Sequence, residues 1–227
     1  MAVPALVFDV FGTLVDWRSG IARAFDESKV PGDPEELADA WRASFWPMLV
    51  AVNKGERPWG NFDELHAAAL SNLLTERDMD LPAVERARLV DAWHRLDPWP
   101  DVRTGLATLR RQRVVASLSN GHVALLVDLA RHGDMRFDCL LSAELARTYK
   151  PAPEVYLLAP RLLDLEPAEV MLVASHPLDL KAARRAGLRS ALVERPLEYG
   201  AGSPARADPD ADLSVRDLDE LAQRLLD

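Results

Sequence analysis

A short apolar run near the start of the chain, followed at once by an acid, constrains the fold more than any other feature. Residues 5–8 are continuously apolar, as expected of a strand in the middle of a parallel sheet. Asp9 ends the run, and Gly12 lets the backbone turn sharply after it. Because ligands bind outside the carboxyl ends of strands in open α/β sheets, we expect Asp9 to be a nucleophile or a ligand rather than a turn or N-cap acid.

Further apolar runs follow and alternate with helical patterns. We expect strands at residues 5–8, 114–118, 139–141, 170–173, 191–193 and, more weakly, 213–215. Helices are expected at residues 104–112, 122–132, 153–163, 178–186 and 218–226, with a surface loop at 199–212. This alternation predicts an α/β fold in which a doubly wound parallel sheet has helices on both faces.

The segment between the first two expected strands shows helical periodicity only. Asp33, Pro34 and Glu36 form a strong helix start, with an N-cap acid, a proline at the first helical position and a glutamate at the third. Two further amphipathic helices fit residues 62–77 and 82–96. We therefore expect an α/β core domain of residues 1–15 and 99–227, interrupted by an all-helical cap domain of residues 16–98.

Composition excludes several kinds of partner. A net charge of −9 argues against nucleic acids and anionic membranes, and no apolar run approaches the length of a membrane span. The N-terminus lacks the pattern of a signal peptide. The only cysteine, Cys139, lies in an apolar run and is expected in the core, which suits a reducing cytoplasm. An anionic substrate would then need a local positive charge to attract it.

Asp9, Phe11 and Thr13 resemble the first motif of the haloacid dehalogenase superfamily, which combines a Rossmann-like core with an inserted cap. Most members are phosphatases and have a second acid where Phe11 stands. A phosphatase must protonate the departing alkoxide, whereas a halide ion is a very weak base and leaves unprotonated. An aromatic residue here is typical of the 2-haloacid dehalogenase branch, so the resemblance implies that Asp9 displaces a halide.

Two later segments resemble further motifs of the superfamily. Ser119 and Asn120 end the second expected strand and suit a substrate carboxylate, although Ser119 is equally compatible with an ordinary N-cap. Lys150 precedes a proline and can offset about 3 kcal/mol of repulsion between two carboxylates roughly 5 Å apart. Tyr156 follows on the next expected helix and is a further candidate for the site.

The fourth motif argues against a metal ion. Ser175 stands where phosphatases have the first of two acids, and only Asp179 remains. Since Phe11 replaces another acid, we expect neither a metal nor any other cofactor. The resemblance implies that Asp179 orients or deprotonates the hydrolytic water. His176 is interpreted either as a polar site residue or as a histidine that merely begins a helix.

The chain also departs from the best-known dehalogenases. His176 and Leu178 stand where those enzymes have Asn and Trp, which changes the expected pocket wall. If Arg42 and His176 both reach the halide, they present several N–H donors to it, and we therefore expect turnover of fluoroacetate. Trp41-Arg42 resembles the pair whose arginine binds the departing halide, the alternative being a surface arginine beside a core tryptophan.

Other aromatic and imidazole side chains are harder to assign. Three aromatic residues of the insertion could line a dry pocket or form the insertion's own core: Trp46, Trp59 and Phe62. Four histidines show no metal-ligand spacing along the chain: His66, His94, His122 and His132.

The sequence therefore predicts a hydrolase that converts short L-2-haloacids to 2-hydroxy acids. Asp9 is the expected nucleophile, which Thr13 and Lys150 position, and Arg42 is expected to bind the halide. The alternatives are a phosphatase of the same fold, displacement of another leaving group α to a carboxylate, and a catalytically silent scaffold. The resemblance also implies a homodimer.

Overall fold

Six parallel strands form a single sheet in the computed structural model, which describes residues 3–204 and 206–226. The strands are β1 (Ala5–Phe8), β2 (Val114–Ser119), β3 (Cys139–Ser142), β4 (Val170–Ala174), β5 (Arg189–Val193) and β6 (Leu213–Val215). Their spatial order is β3-β2-β1-β4-β5-β6. This is the doubly wound arrangement predicted from the sequence, with each strand within two residues of its expected bounds at either end.

The central strand β1 owes its position to its composition. All four of its residues are fully buried, and β2 and β4 pair with it on either side. Pairing continues one residue further, since the Asp9 N–H donates to the Val173 carbonyl at 3.1 Å. The strand order reverses between β1 and β4, which is the point where ligands bind in such sheets. Asp9 lies at that point.

Only helices occupy the chain between β1 and β2 until residue 95. They are α1 (Trp17–Glu27), α2 (Pro34–Asn53), α3 (Phe62–Glu76), α4 (Ala83–Ala92) and a 3₁₀ turn (Trp93–Arg95). The Asp33 side chain caps α2 as predicted, accepting from the Glu35 and Glu36 amides. Asn61 and Glu64 form a capping box at the start of α3.

The two ends of this helical insertion lie side by side. The Asp16 N–H donates to the Asp97 carbonyl, and the Trp99 N–H donates to the Leu14 carbonyl, each at 2.9 Å. The insertion is therefore attached to the sheet by a short two-stranded link. Its division from the core as a cap domain of residues 16–98 stays a prediction.

The helices that flank the sheet are α5 (Val102–Leu109), α6 (Val123–His132), α7 (Pro153–Tyr156), α8 (Leu158–Leu163), α9 (Pro177–Arg185) and α10 (Leu218–Leu226). The single helix expected at 153–163 is wrong, because the segment is broken at Leu157. Pro160 has no N–H to donate to the Tyr156 carbonyl, so a continuous helix would lose a hydrogen bond there. Cys139 is only partly buried and packs against the core rather than within it.

None of the described helices combines the length and the apolar character that crossing a membrane requires.

Candidate active site

The Asp9 carboxylate lies among three donors at the carboxyl edge of the sheet. The Thr13 hydroxyl donates to Asp9 Oδ2 at 2.8 Å and accepts the Ser175 N–H at 3.0 Å, which ties the turn after β1 to the end of β4. His176 Nδ1 lies 3.3 Å from the same Asp9 oxygen. Asp9 Oδ1 has one contact, to Lys150 Nζ at 3.3 Å. The two oxygens of Asp9 are therefore held unequally.

Lys150 joins Asp9 to the second acid of the site. Its ammonium lies 2.6 Å from Asp179 Oδ2 and is almost fully buried. The Tyr156 hydroxyl donates to the other oxygen, Asp179 Oδ1, at 2.6 Å. The backbone N–H of Lys150 donates to Asn120 Oδ1 at 2.7 Å, which fixes the turn that carries the lysine. The structure thus brings together side chains from the segments that follow β1, β2, β3 and β4.

The surroundings give the two carboxyl groups different proton affinities. Burial acts to raise the pKa of Asp9, but Lys150, His176 and Thr13 outweigh it and hold that pKa below its usual range. Burial raises the pKa of Asp179, and the negative charge of Asp9 adds to this, against the opposing effects of Lys150 and Tyr156. Asp9 is therefore suited to remain ionised, while Asp179 is the better proton acceptor.

A buried glutamate that the sequence analysis missed completes the group. Glu198 Oε1 lies 2.9 Å from His176 Nε2, and the carboxylate also accepts from Trp17 Nε1 and Arg206 Nη1. Burial acts to lower the pKa of His176, but its bonds to Asp9 and Glu198 raise that pKa to about 9. His176 is therefore a cation between two acids and not simply the first residue of a helix.

Gly12 makes room for this carboxylate. Its backbone has a φ of +85°, and a Cβ at this position would overlap the Glu198 side chain. The turn after Asp9 therefore requires glycine for its conformation and for its neighbour. Nothing in the spacing of the sequence connects Glu198 with Gly12, because the glutamate comes from a loop with no repeated pattern.

Arg42 on α2 lies above this group, among aromatic rings. Its guanidinium carbon is 5.4 to 5.8 Å from the ring centres of Phe11, Trp17, Phe45 and Trp93. Within residues 3–204 and 206–226 it forms no ion pair or hydrogen bond, and burial lowers its pKa. Arg42 is therefore not an ordinary surface arginine, because aromatic rings surround its guanidinium and no acid of the described residues pairs with it.

The aromatic side chains around the Arg42 guanidinium also contact one another. Phe11 stacks on Phe62 with their ring centres 4.9 Å apart. His66 is fully buried between Phe45 and Trp93, and burial holds its pKa well below the usual value, so it is neutral. Of the three aromatic residues that the sequence suggested for the wall, Phe62 alone stacks on Phe11. The wall or core assignment of Trp46 is wrong, because half of its surface is exposed.

Trp59 occupies a different place from the other two, with the Arg147 guanidinium 4.0 Å from its ring centre. Leu178 also fails as a wall residue. Its side chain is 78% exposed, because the first turn of α9 directs this position away from the site.

Ser119 and Asn120 lie beside Lys150 at the end of β2. The Ser119 hydroxyl oxygen accepts the Gly121 N–H at 3.1 Å, so it stabilises the turn and does not cap α6. The N-cap of α6 is His122, and the Val123 N–H that follows donates to Glu144 instead. In the described structure Asn120 Nδ2 donates to no protein atom, which leaves it available to a ligand.

The fold and this strand-end group define a hydrolase of the haloacid dehalogenase type. A family model described as haloacid dehalogenase-like hydrolase matches residues 3–187, and the chain belongs to this family. The resemblance stated from the motifs is thereby confirmed.

Several relatives share most of the chain's length. The (S)-2-haloacid dehalogenase of Pseudomonas sp. (strain YL) is 32% identical over 196 residues, covering 85% of this chain and 83% of the relative. The solved structure of the L-2-haloacid dehalogenase PA0810 is 46% identical with a TM-score of 0.92, covering 98% of both chains. The defluorinating L-2-haloacid dehalogenase Rha0230 is 37% identical with a TM-score of 0.94, covering 99% of this chain and 96% of that one.

Proposed function

We propose that this chain hydrolyses short 2-haloalkanoic acids, preferring the L enantiomer, to 2-hydroxy acids through an ester on Asp9. One feature of the site is the main support for this proposal. A buried carboxylate with a lowered pKa is held by three donors, and the residue two positions later is a phenylalanine packed on another ring. Such a site supplies a nucleophile but no acid for the leaving group, which suits a halide.

In the first step we assign the attack to Asp9 Oδ1. Thr13 and His176 both engage Oδ2, whereas Oδ1 has only its long contact with Lys150. The bond from Oδ1 to Cα forms as the carbon–halogen bond breaks, and the bonding electrons leave with the halide. In-line displacement inverts the configuration at Cα. The halide must then depart on the side opposite Asp9.

In the second step a water molecule attacks Cγ of Asp9. Asp179 accepts its proton, because the raised pKa of this group makes it the stronger base of the two. The Cγ–Oδ1 bond breaks, and the same proton passes to the departing oxygen of the 2-hydroxy acid. Asp9 regains its carboxylate with one oxygen from water, and the second proton of that water is released to solvent. The Lys150 ammonium, between the two acids, stabilises the negative charge that develops on the ester oxygen.

The remaining site residues suit the two anionic ends of the substrate. Ser119 and the free amide donors of Asn120, beside Lys150, are assigned to the substrate carboxylate. Arg42 is assigned to the leaving halide, since its guanidinium is among aromatic rings with no protein carboxylate bound to it in the described structure. Tyr156 is assigned to holding Asp179 in place.

The rival activity, phosphate ester hydrolysis, is disfavoured by the same geometry. Phe11 stands where a phosphatase has its second acid, and the Ser175 hydroxyl stands where another carboxylate would help to hold a magnesium ion. Halide release from racemic 2-chloropropionate should continue after chelation, and added Mg²⁺ should not increase it. A severalfold loss on chelation that Mg²⁺ restores would favour the phosphatase.

The ester mechanism is tested by a single turnover in ¹⁸O-labelled water with enzyme in excess over 2-chloropropionate. Label should enter the Asp9 side chain, as seen by mass spectrometry of the peptide that contains it, and little should enter the product. Label found mainly in the product hydroxyl would show that water attacks Cα directly, which would contradict the ester.

We further propose that fluoroacetate is a slow substrate. The similarity to a defluorinating enzyme supports this, as do the unpaired donors of Arg42, because fluoride is a small anion that accepts strong hydrogen bonds. Since His176 contacts Asp9 and not the space around Arg42, His176→Asn should lower fluoride and chloride release by similar factors. A selective loss of fluoride release would place His176 at the halide instead.

A homodimer and a cytoplasmic location stay predictions, from the family resemblance and from the single cysteine respectively.

A further inference from the structure

A second cluster of ionisable side chains lies where the helical insertion meets the sheet domain. It consists of Asp63 near the start of α3, His94 in the 3₁₀ turn, and His122 at the N-cap of α6. One ligand atom from each residue lies within 4.8 Å of the others. The mechanism proposed above uses none of these side chains. They are far apart in the sequence, which is why spacing alone gave no sign of the cluster.

The two separations that involve Asp63 are compatible with a small metal ion. His94 Nε2 is 3.1 Å from the Asp63 carboxylate, and His122 Nε2 is 3.6 Å from Asp63 Oδ2. Tetrahedral zinc with ligand bonds of about 2.0–2.1 Å places neighbouring ligand atoms roughly 3.3 Å apart. The two observed distances lie on either side of that value. Two imidazoles and one carboxylate are also a ligand set that zinc-like ions accept.

A fourth side chain orients the first histidine. Asp128 Oδ2 lies 2.7 Å from His94 Nδ1, so the ring presents Nε2 to Asp63. A carboxylate bound to the outer nitrogen of a ligating imidazole is the usual support of a metal-bound histidine. Without a metal, the same contacts hold His94 as a cation between two acids, and its pKa is raised accordingly. A metal ion would replace the proton on Nε2.

His122 gives an independent indication of a ligand. Its residue surface is 93% buried, and Nδ1 has no hydrogen-bond partner within the described ranges 3–204 and 206–226. Nε2 faces Asp63 at a distance too long for a good hydrogen bond. In the described structure Nε2 therefore lacks a good protein partner and can accept a ligand.

The cluster can be reached from solvent. An open cleft of about 780 Å³ between α3, α4 and α6 is lined by Asp63, His94 and Asp128. An ion could enter through this cleft, and a water molecule could supply a fourth ligand there.

We propose that Asp63, His94 and His122 bind a divalent transition-metal ion of the zinc class that joins the helical insertion to the sheet domain. Phe62 and Trp93 immediately precede two of the ligands, and both belong to the aromatic wall around Arg42. The ion would therefore hold this wall in place without taking part in the reaction. Magnesium is not expected to bind, because it prefers oxygen ligands.

The proposal is tested by titrating the chelator-treated, full-length protein with Zn²⁺ in a calorimeter. The native protein should bind one equivalent. His94→Ala, His122→Gln and Asp63→Asn should each weaken binding by tenfold or more. The matched control is His132→Ala, which removes an exposed histidine of α6 paired with Asp97 and should bind like the native protein.

Two further measurements separate loss of a ligand from loss of folding. Circular dichroism should show that Asp63→Asn, which keeps the shape of the side chain, folds as the native protein does. Bound Co²⁺ should give the intense visible absorption of a tetrahedral site in the native protein and not in Asp63→Asn. The proposal is overturned if the native protein binds no Zn²⁺, or if folded Asp63→Asn and His122→Gln bind it as tightly.

Discussion

At the scale of single residues, the proton affinities of the site's acids depend on the few cations that contact them. Asp9 and Glu198 are buried and Asp179 is partly buried, and the cations in direct contact with them within the described residues are Lys150, His176 and Arg206. Lys150 and His176 each contact two of these acids, and Arg206 contacts one. Removal of any of these cations therefore leaves an acid without its counter-charge in a medium of low dielectric constant. The proton affinity of every member therefore depends on the others.

The first prediction at this scale concerns Glu198, which we propose positions His176. Burial acts to lower the pKa of His176, but the bonds of this residue to Asp9 and Glu198 raise that pKa to about 9. Glu198→Gln removes one of the two charges, so the alkaline limb of kcat/KM against pH should move to lower pH by about one unit or more. The readout is chloride release from 2-chloropropionate between pH 6 and pH 10 (about the range in which histidine and its shifted forms titrate).

A suitable control for Glu198→Gln is Glu194→Gln, which changes an exposed acid of the same loop region. A profile that keeps its alkaline limb while kcat falls would mean that Glu198 has only a structural role. His176→Asn should remove that limb altogether, because asparagine has no proton to lose in this range.

The sequence identifies those site residues that follow strands and belong to motifs. Asp9, Thr13, Lys150 and Asp179 were predicted together because parallel strands bring their carboxyl ends to one edge, and the structure places them within hydrogen-bond reach of one another. Glu198 could not be found in this way. It comes from an irregular loop, and its partners are set by side-chain packing in three dimensions.

At the scale of elements, helix α2 of the insertion places Arg42, the residue proposed to bind the halide, close to the sheet domain. Arg42→Ala should lower chloride, bromide and fluoride release by about tenfold to a hundredfold, since one charge-assisted contact to a departing anion contributes about 1.5–3 kcal/mol. Arg42→Lys should recover part of the rate, because it restores the charge without the planar set of donors. Halide release is the measurement.

Arg77→Ala is the matched control in the same insertion. Arg77 is paired with Glu36 in an ion pair at the surface, so its loss should leave the rate unchanged. An Arg42→Ala rate equal to that of Arg77→Ala would show that the resemblance of Trp41-Arg42 to the halide-binding pair is accidental.

Elements also show where sequence patterns stop being informative. The strands were predicted closely because each is a buried apolar run, whereas the segment 153–163 was assigned one helix although Pro160 breaks it. Leu178 was assigned to the pocket by its place in a motif, but the direction of a side chain on the first turn of α9 depends on how that helix docks. The cluster of Asp63, His94 and His122 depends likewise on the packing of three elements.

At the scale of the whole molecule, a chain with a net charge of −9 binds its proposed anionic substrate where buried cations are concentrated. Lys150, His176 and Arg42 all lie at the junction of the sheet with the helical insertion. The same buried charges should also make the stability of the fold depend on pH.

His176 determines the sign of that dependence between neutral and alkaline pH. Its pKa rises from 6.5 in the unfolded chain to about 9 in the folded one, so the folded state binds the proton more tightly. The stabilisation is fully present below pH 6.5 and is lost as the pH rises through about 9. This stabilisation amounts to about 3 kcal/mol, at 1.36 kcal/mol for each unit by which the pKa differs between the folded and unfolded states.

We therefore predict that the free energy of unfolding of the native protein falls between pH 6.5 and pH 9, the window set by this group. Urea unfolding at a series of pH values gives the free energy at each. The pKa of His94 is also raised, so a smaller loss of the same sign should persist in His176→Asn. Arg77→Ala, at the surface of the insertion, should follow the native curve. If His176→Asn loses as much stability as the native protein over this window, His176 is not held as a cation between Asp9 and Glu198.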